Sequence, residues 1–586
     1  MSDGTRIAVD IWLPETYSSG QTLPAILYMT RYQRAQQIGW LQRAFIGLGL
    51  TSSDGISGLP VDLFNASGIA FIKVDARGSG ASFGRRDIEM SPEEIADYGE
   101  IAQWVTQQPW SNGKIGAVGV SYAGNTAELI TATQHPAIKA VAPLYNDFDA
   151  QFGLVQPGGA KSAFLDSWGD FVGKLDRNDV CALADANGLK CLLVRFWSPG
   201  VKPVDGSDGP PLLKAALEEH LQNTPVAEGF SKINFRDDTF GSTQLTSAAV
   251  SGYGLRREIE ASGVVFHVRT GWLDAATTDG ALSRYRTFSN SQKLIIGPYS
   301  HGGATDTDPF SAPDAPAIPT REEQWRDIVQ FFVNEFSEHG THWDGKSIEY
   351  YTMGAGIWRN TTSWPPQGLT EQTFYFDRNG ILATKVPGVE RASDVYTVDI
   401  SASSGGHTRW HTNLGLGDVV YPDRKNEDSR LLTYTSAPLA TSMEITGTPV
   451  LTFFVSTNKQ DGVFHAYLEA VAPNGRVIYL TEGILRAQQR KITSANLPYF
   501  QDGPPHSYLR EDALPVVPGK EMEISIGLYA TSIVVPKDYR LRIALAGADL
   551  AMFKPLPEDN ASPEWTVFYG SARPSRLILP SREYPQ

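Results

Sequence analysis

Gly116–Asn125 reads GAVGVSYAGN, with a strand-like apolar run before it and a helix-like run after it. A serine among small residues can simply fill a turn or a packing gap. At a strand-to-helix junction, however, Gly119-x-Ser121 has the form of a nucleophile elbow, whose sharp turn exposes the hydroxyl at a helix N-terminus. The strict G-x-S-x-G pattern asks for glycine at 123, where this chain has Ala123, followed by Gly124. The stretch therefore needs its neighbours to decide its meaning.

Those neighbours alternate. Arg6–Leu13, Ala25–Thr30, Ile69–Val74, Lys114–Gly119 and Ile138–Leu144 read as strands. Pro92–Gln108, behind Ser91 as N-cap, and Tyr122–Thr133 carry apolar residues at helical spacing. This rhythm predicts a mostly parallel sheet covered on both faces. It breaks over 146–250, where polar helical pieces such as Pro211–Gln222 predict a helical insertion. It resumes over 251–345 with strands at Val264–Thr270 and Gln292–Ile296 and helices at Ala281–Phe288 and Glu322–Phe336. From 346 to 586, segments such as VLTFFVST and YRLRIALAG, separated by Pro, Gly and Asp turns, predict an all-β jelly roll. The expected fold class is α/β: a core over 1–145 and 251–345, an inserted helical cap over 146–250, and a C-terminal all-β domain.

A serine hydroxyl is a weak nucleophile at neutral pH and needs a histidine base oriented by a carboxylate. In this kind of sheet the partners follow in the order Ser, Asp or Glu, His, each in a loop after a strand. Asp274, in TGWLDAA, and His301, in LIIGPYSHGG, occupy those loops. Asp279 is the competing acid but falls far past its strand, and the other nine histidines lack the order or the setting. The amide of Tyr122, next after the nucleophile, supplies one oxyanion donor. The phenol of Tyr32, after the second strand, is a candidate for the other. Trp168, among the aromatics of the cap, is a candidate substrate contact.

The 586 residues carry 50 Lys and Arg against 65 Asp and Glu, a net charge of −15, without a polybasic block. That gives no electrostatic help to nucleic-acid binding. No apolar run approaches the ~20 residues of a bilayer span. The expected partner is a small-molecule ester or amide, with neither nucleic acid nor membrane, and a homo-oligomer is left open. The N-terminus already alternates like a strand, so the chain is expected to be cytosolic or to have lost a leader. Of the two cysteines, Cys181 and Cys191, the first expectation is a pair of reduced core thiols. The rival is a disulfide closing a short loop, which would point to an oxidising compartment.

With these residues in place, the chain resembles the cocaine-esterase-like hydrolases, grouped with α-amino-acid ester hydrolases and X-prolyl dipeptidyl peptidases. The likeness rests on SDGTRIAVDIWLP, Tyr32, VDARGSGASFG, PWSNGKIGAVGVSYAG, GWLD, GPYSHG, MGAGIWRNTTSWP, GDVVYPDR and LLTYTSAPL. It spans nearly the whole sequence. The family's serine motif is G-x-S-Y-x-G, which GVSYAG fits, so Ala123 is no objection. The resemblance implies Ser121 as nucleophile, Asp274 as acid and His301 as base, with Tyr32 and the Tyr122 amide as oxyanion hole. It implies an α/β-hydrolase core with cap and jelly roll, and neither metal nor organic cofactor. Relatives that recognise a free amine use acidic residues just after the catalytic aspartate. Here that stretch is DAATTDG, leaving only Asp279 for such a role. The expected activity is cleavage of a carboxylic ester through an acyl-enzyme. Amide acylase or peptidase activity is the alternative, and a carbohydrate- or partner-binding protein with an inert core is the alternative of another class.

Overall fold

The structure is a computed structural model that describes residues 1–39, 42–43, 61–313, 315–414, 417–495, 497–558 and 561–585. Its first sheet has nine strands: β1 (Val9–Trp12), β2 (Leu23–Thr30), β3 (Ala70–Asp75), β4 (Ser111–Val120), β5 (Ile138–Leu144), β6 (Val265–Gly271), β7 (Gln292–Gly297), β8 (Lys346–Thr352) and β9 (Ile357–Thr361). They lie in the order β1-β3-β2-β4-β5-β6-β7-β8-β9. The run from β3 to β8 is parallel, and the edge strands β1 and β9 are antiparallel to their neighbours. Strands covered on both faces are continuous apolar runs rather than alternating ones. β3 is buried at every position.

Helices cover both faces. α1 (Pro92–Thr106) starts where Ser91 Oγ accepts the Glu94 N–H at 3.2 Å, with Pro92 at the first helical position. α2 (Tyr122–Leu129) is buried along its whole length and tightens into a 3-10 turn over Ile130–Thr133.

Between β5 and β6 the chain leaves the sheet for α3 (Phe164–Asp176), α4 (Gly188–Trp197), α5 (Gly209–His220) and connecting loops. Here the expectation of reduced thiols fails. Cys181 and Cys191 form a disulfide, with Cα atoms 5.0 Å apart, because the short helix Val180–Leu183 and the turn after it fold back on the start of α4.

α6 (Thr277–Thr287) begins four residues before the position that periodicity indicates. The hydroxyls of Thr277 and Thr278 donate to the carbonyls of Asp274 and Gly271, both at 2.7 Å, which ties the helix start to the end of β6. α7 (Arg321–Phe336) opens with a capping box between Thr320 and Glu323. The rest of the chain is a second, all-β unit whose strands include Val450–Thr457, Val463–Val471, Val477–Arg486, Met522–Gly527 and Arg540–Ala546. A loop of this unit, 408–413, reaches back over the carboxyl ends of β6 and β7.

Candidate active site

Ser121 follows β4 directly and caps α2 with φ 60° and ψ −125°, a left-handed φ that a residue with a side chain adopts only under constraint. The glycines around it explain how the turn is accommodated. A Cβ at Gly119 would collide with Ala123, and a Cβ at Gly124 would lie 2.8 Å from both Asn146 Cβ and Leu144 O. Glycine is thus demanded at 119 and 124, while 123 can carry a methyl because 119 has none. The Ser121 N–H donates to Leu144 O at 2.9 Å, pinning the elbow to β5. Its hydroxyl makes no hydrogen bond among the described residues.

Asp274 follows β6 and His301 follows β7, and the two side chains meet. His301 Nδ1 lies 2.9 Å from Asp274 Oδ1 and 3.1 Å from Oδ2. Asp274 is fully buried. It also accepts from Asn413 Nδ2 at 2.6 Å and from Thr277 Oγ1 at 3.0 Å, and a carboxylate so surrounded keeps one orientation. The His301 N–H donates to Thr412 Oγ1 at 3.0 Å. Arg409 donates through Nε to Ala275 O at 2.7 Å and through Nη2 to Trp272 O at 3.1 Å. These three supports come from the all-β unit, and the sequence reading did not include them. The competing acid, Asp279, turns away and accepts the Ala530 N–H at 3.0 Å.

Burial alone would lower the His301 pKa, but the Asp274 carboxylate, helped by Asp147, leaves it raised above the ordinary histidine value. Asp147, just past β5, is pushed up to about 7 by burial and by Asp274, with His301 opposing. Its carboxylate has no hydrogen-bond partner among the described residues. Sequence reading passed over it because an aspartate in a loop carries no pattern.

Tyr32 follows β2. Its phenolic oxygen accepts the Trp168 Nε1–H at 2.9 Å. Its own proton has no acceptor among the described residues, and burial pushes its pKa up to about 12, so it stays a donor. Trp168 is held beneath the Arg31 guanidinium, 5.3 Å from the ring centroid, and stacks on Phe164 at 5.7 Å. The Tyr122 phenol points the other way and donates to Glu94 Oε1 at 2.7 Å. The Tyr122 amide, at the first position of α2, has no intrahelical acceptor. Ser121, Tyr32, Tyr122 and Trp168 all line one cavity, whose other walls are largely apolar and whose boundary includes Asp147. His301 is not on its wall.

The arrangement brings a strained serine elbow, an oriented imidazole and two donors without acceptors among the described residues to the carboxyl ends of parallel strands. Among the described residues no group of three or more His, Cys, Asp and Glu side chains is set to hold a metal ion, and no helix is long and apolar enough to cross a membrane.

Comparison with known proteins agrees with this reading of the fold. The model of the X-Pro dipeptidyl-peptidase (S15) family matches residues 3–303, and that of the X-Pro dipeptidyl-peptidase C-terminal non-catalytic domain matches residues 341–578. A Mycobacterium bovis protein described as "Putative serine esterase" is 36% identical, covering 99% of this chain and 94% of that protein. The cocaine esterase of a Rhodococcus species is 24% identical over 99% of this chain and 97% of its own. The crystal structure of a CocE/NonD family hydrolase from Staphylococcus aureus superposes with a TM-score of 0.68 at 15% identity, covering 99% of this chain and 92% of that one.

Proposed function

The chain belongs to the X-Pro dipeptidyl-peptidase (S15) family of α/β-hydrolases, and from that premise we propose that it is a serine esterase working through an acyl-enzyme on Ser121. The observation that carries the reading is the His301 imidazole oriented by the buried Asp274, at the same carboxyl edge of the parallel sheet as the strained Ser121 elbow. Ester rather than amide is favoured by the relative at 36% identity, itself described as a serine esterase.

In this reading His301 Nε2 takes the Ser121 proton as Oγ attacks the carbonyl carbon. Asp274 keeps the other proton on Nδ1 and stabilises the imidazolium that forms. The Oγ to Nε2 hydrogen bond is made as substrate enters, a tightening common to such sites. The tetrahedral oxyanion receives the Tyr122 amide and the Tyr32 phenol. Because Trp168 already donates to the Tyr32 oxygen, the phenolic O–H is polarised toward its acceptor. Collapse sends the imidazolium proton to the departing alkoxide, and water activated by the same imidazole then releases the acid. The leaving group must sit on the His301 side to be protonated. The cavity that includes Ser121, Tyr32 and Trp168 but not His301 is therefore the acyl side.

Removing one oxyanion donor typically costs about 2.7–4 kcal/mol, so Tyr32→Phe is expected to lower kcat on a p-nitrophenyl ester roughly a hundredfold to a thousandfold. A kcat within twofold of the parent would remove Tyr32 from the site. The electrostatics give a second expectation. The base must be neutral, so kcat/KM is lost as pH falls through the His301 pKa, which lies above the free histidine value of about 6.5. Asp147→Asn deletes a negative charge that favours the imidazolium, so the acid limb of the profile should move to lower pH. A limb that stays in place or moves up contradicts the assignment. An X-Pro dipeptidyl anilide is the second substrate to test. The family model carries that description, and Asp147 offers an unpaired carboxylate to a cationic amine.

A further inference from the structure

The backbone of Tyr32 is fixed at the end of β2, where its N–H donates to Thr30 Oγ1 at 3.0 Å, but its phenol is held from the cap. Trp168 Nε1 donates to the phenolic oxygen at 2.9 Å, and the Phe171 ring lies 6.3 Å from the Tyr32 ring. Both residues belong to α3. The direction of the phenol therefore depends on how α3 is seated against the sheet.

Four largely buried charges seat it. Arg31, the residue before Tyr32, pairs through Nη2 with Asp176, the last residue of α3, at 2.8 Å, and through Nη1 with Glu89. Arg86 reaches the same two acids, Asp176 through Nη2 at 3.0 Å and Glu89 through Nε at 3.2 Å. Asn223 adds a donor to Asp176 Oδ2 at 3.0 Å. Burial would raise the Asp176 pKa, but the two guanidinium groups hold it down to about 2, so the ring stays charged at neutral pH. Arg31, Arg86 and Glu89 come from the loops after β2 and β3, and Asp176 is the member from the cap. The Arg31 guanidinium also lies over the Trp168 ring. It thus grips α3 at two places, one of them the residue that donates to the phenol.

A buried ring of two cations and two anions is a weak source of stability, because desolvation offsets the attraction. Its directed, charge-assisted bonds fix positions instead. We propose that the Arg31–Asp176 pair is a positioning device for catalysis, seating α3 so that Trp168 holds the Tyr32 phenol toward the oxyanion. Neither Arg31 nor Asp176 lines the acyl cavity, so both act through Trp168 and Tyr32 and not on the substrate. This rests on Tyr32 being an oxyanion donor.

The test is a double-mutant cycle read on a p-nitrophenyl ester with the full chain. Asp176→Asn is expected to lower kcat about tenfold and to leave KM within about twofold, a loss inside the range of coupling between residues that share one network. In the Tyr32→Phe background no phenolic hydroxyl remains to be aimed, and the same substitution is expected to change kcat by less than about twofold. Should Asp176→Asn fail to fold, Arg31→Lys reads the same cycle, since it keeps the ring neutral and loses only the planar fork that reaches two acids and the indole. A merely structural role would lower kcat by the same factor with and without the hydroxyl, and that result overturns the inference while leaving Tyr32 in the site. So does an Asp176 variant with the parent's kcat, or one whose loss lies in KM. A Tyr32→Phe variant as active as the parent overturns the oxyanion assignment and this inference with it.

Discussion

Ser121→Ala is expected to lower kcat on an activated ester by about 10⁶-fold, the scale seen when a triad serine is removed, leaving only residual catalysis from binding and the oxyanion donors. Here the proposed oxyanion donors, the Tyr122 amide and the Tyr32 phenol, are positioned by α2 and by the end of β2, not by the serine hydroxyl. The Ser121 Oγ makes no hydrogen bond among the described residues, so its loss leaves nothing buried and unpaired. The variant should therefore fold with the parent's melting profile, and the whole effect should appear in kcat. Turnover within tenfold of the parent would exclude Ser121 as nucleophile.

The second large effect is at Asp274. Asp274→Ala is expected to cost about 10⁴-fold in kcat, comparable to removing the aspartate of a triad elsewhere. The structural reason lies in what converges on this carboxylate: His301 Nδ1, Asn413 Nδ2 and Thr277 Oγ1. Without it, the imidazole loses both the acceptor that fixes its tautomer and the charge that supports its protonated form. Asp279→Ala separates this role from general acidity nearby, since Asp279 bonds the Ala530 amide and not the imidazole. The expectation is that the Asp279 variant keeps most of its turnover. Equal losses at the two positions would contradict the assignment of Asp274 as the orienting acid.

Local chemistry made much of this legible in the sequence. Ile138–Leu144 and Val450–Thr457 are strands over their full predicted lengths because each is a short apolar or β-branched run bounded by turns. The helix behind Ser91 begins where its cap and proline put it. The pairing of Asp274 with His301 followed from loop order, because a parallel sheet delivers every such loop to the same edge. The same reading could not reach what depends on distant chain segments. Thr412, Asn413 and Arg409 support the acid and base from a unit more than a hundred residues away in sequence, and no periodicity links them to β6. Asp176 reads as an ordinary helix-end aspartate until the fold brings Arg31 and Arg86 against it. The disulfide, against the first expectation of reduced thiols, is of the same kind, since ten residues of separation allow a bridge without requiring one.

The reading as a whole stands on an activated hydroxyl at one position, and covalent capture tests it most directly. The protein is treated with a fluorophosphonate, digested, and mapped by mass spectrometry. The account predicts a single phosphonyl adduct on the peptide that contains Ser121, absent after heat denaturation and absent in the His301→Ala variant. An unlabelled protein that nevertheless hydrolyses esters, or an adduct on any other residue, would contradict it.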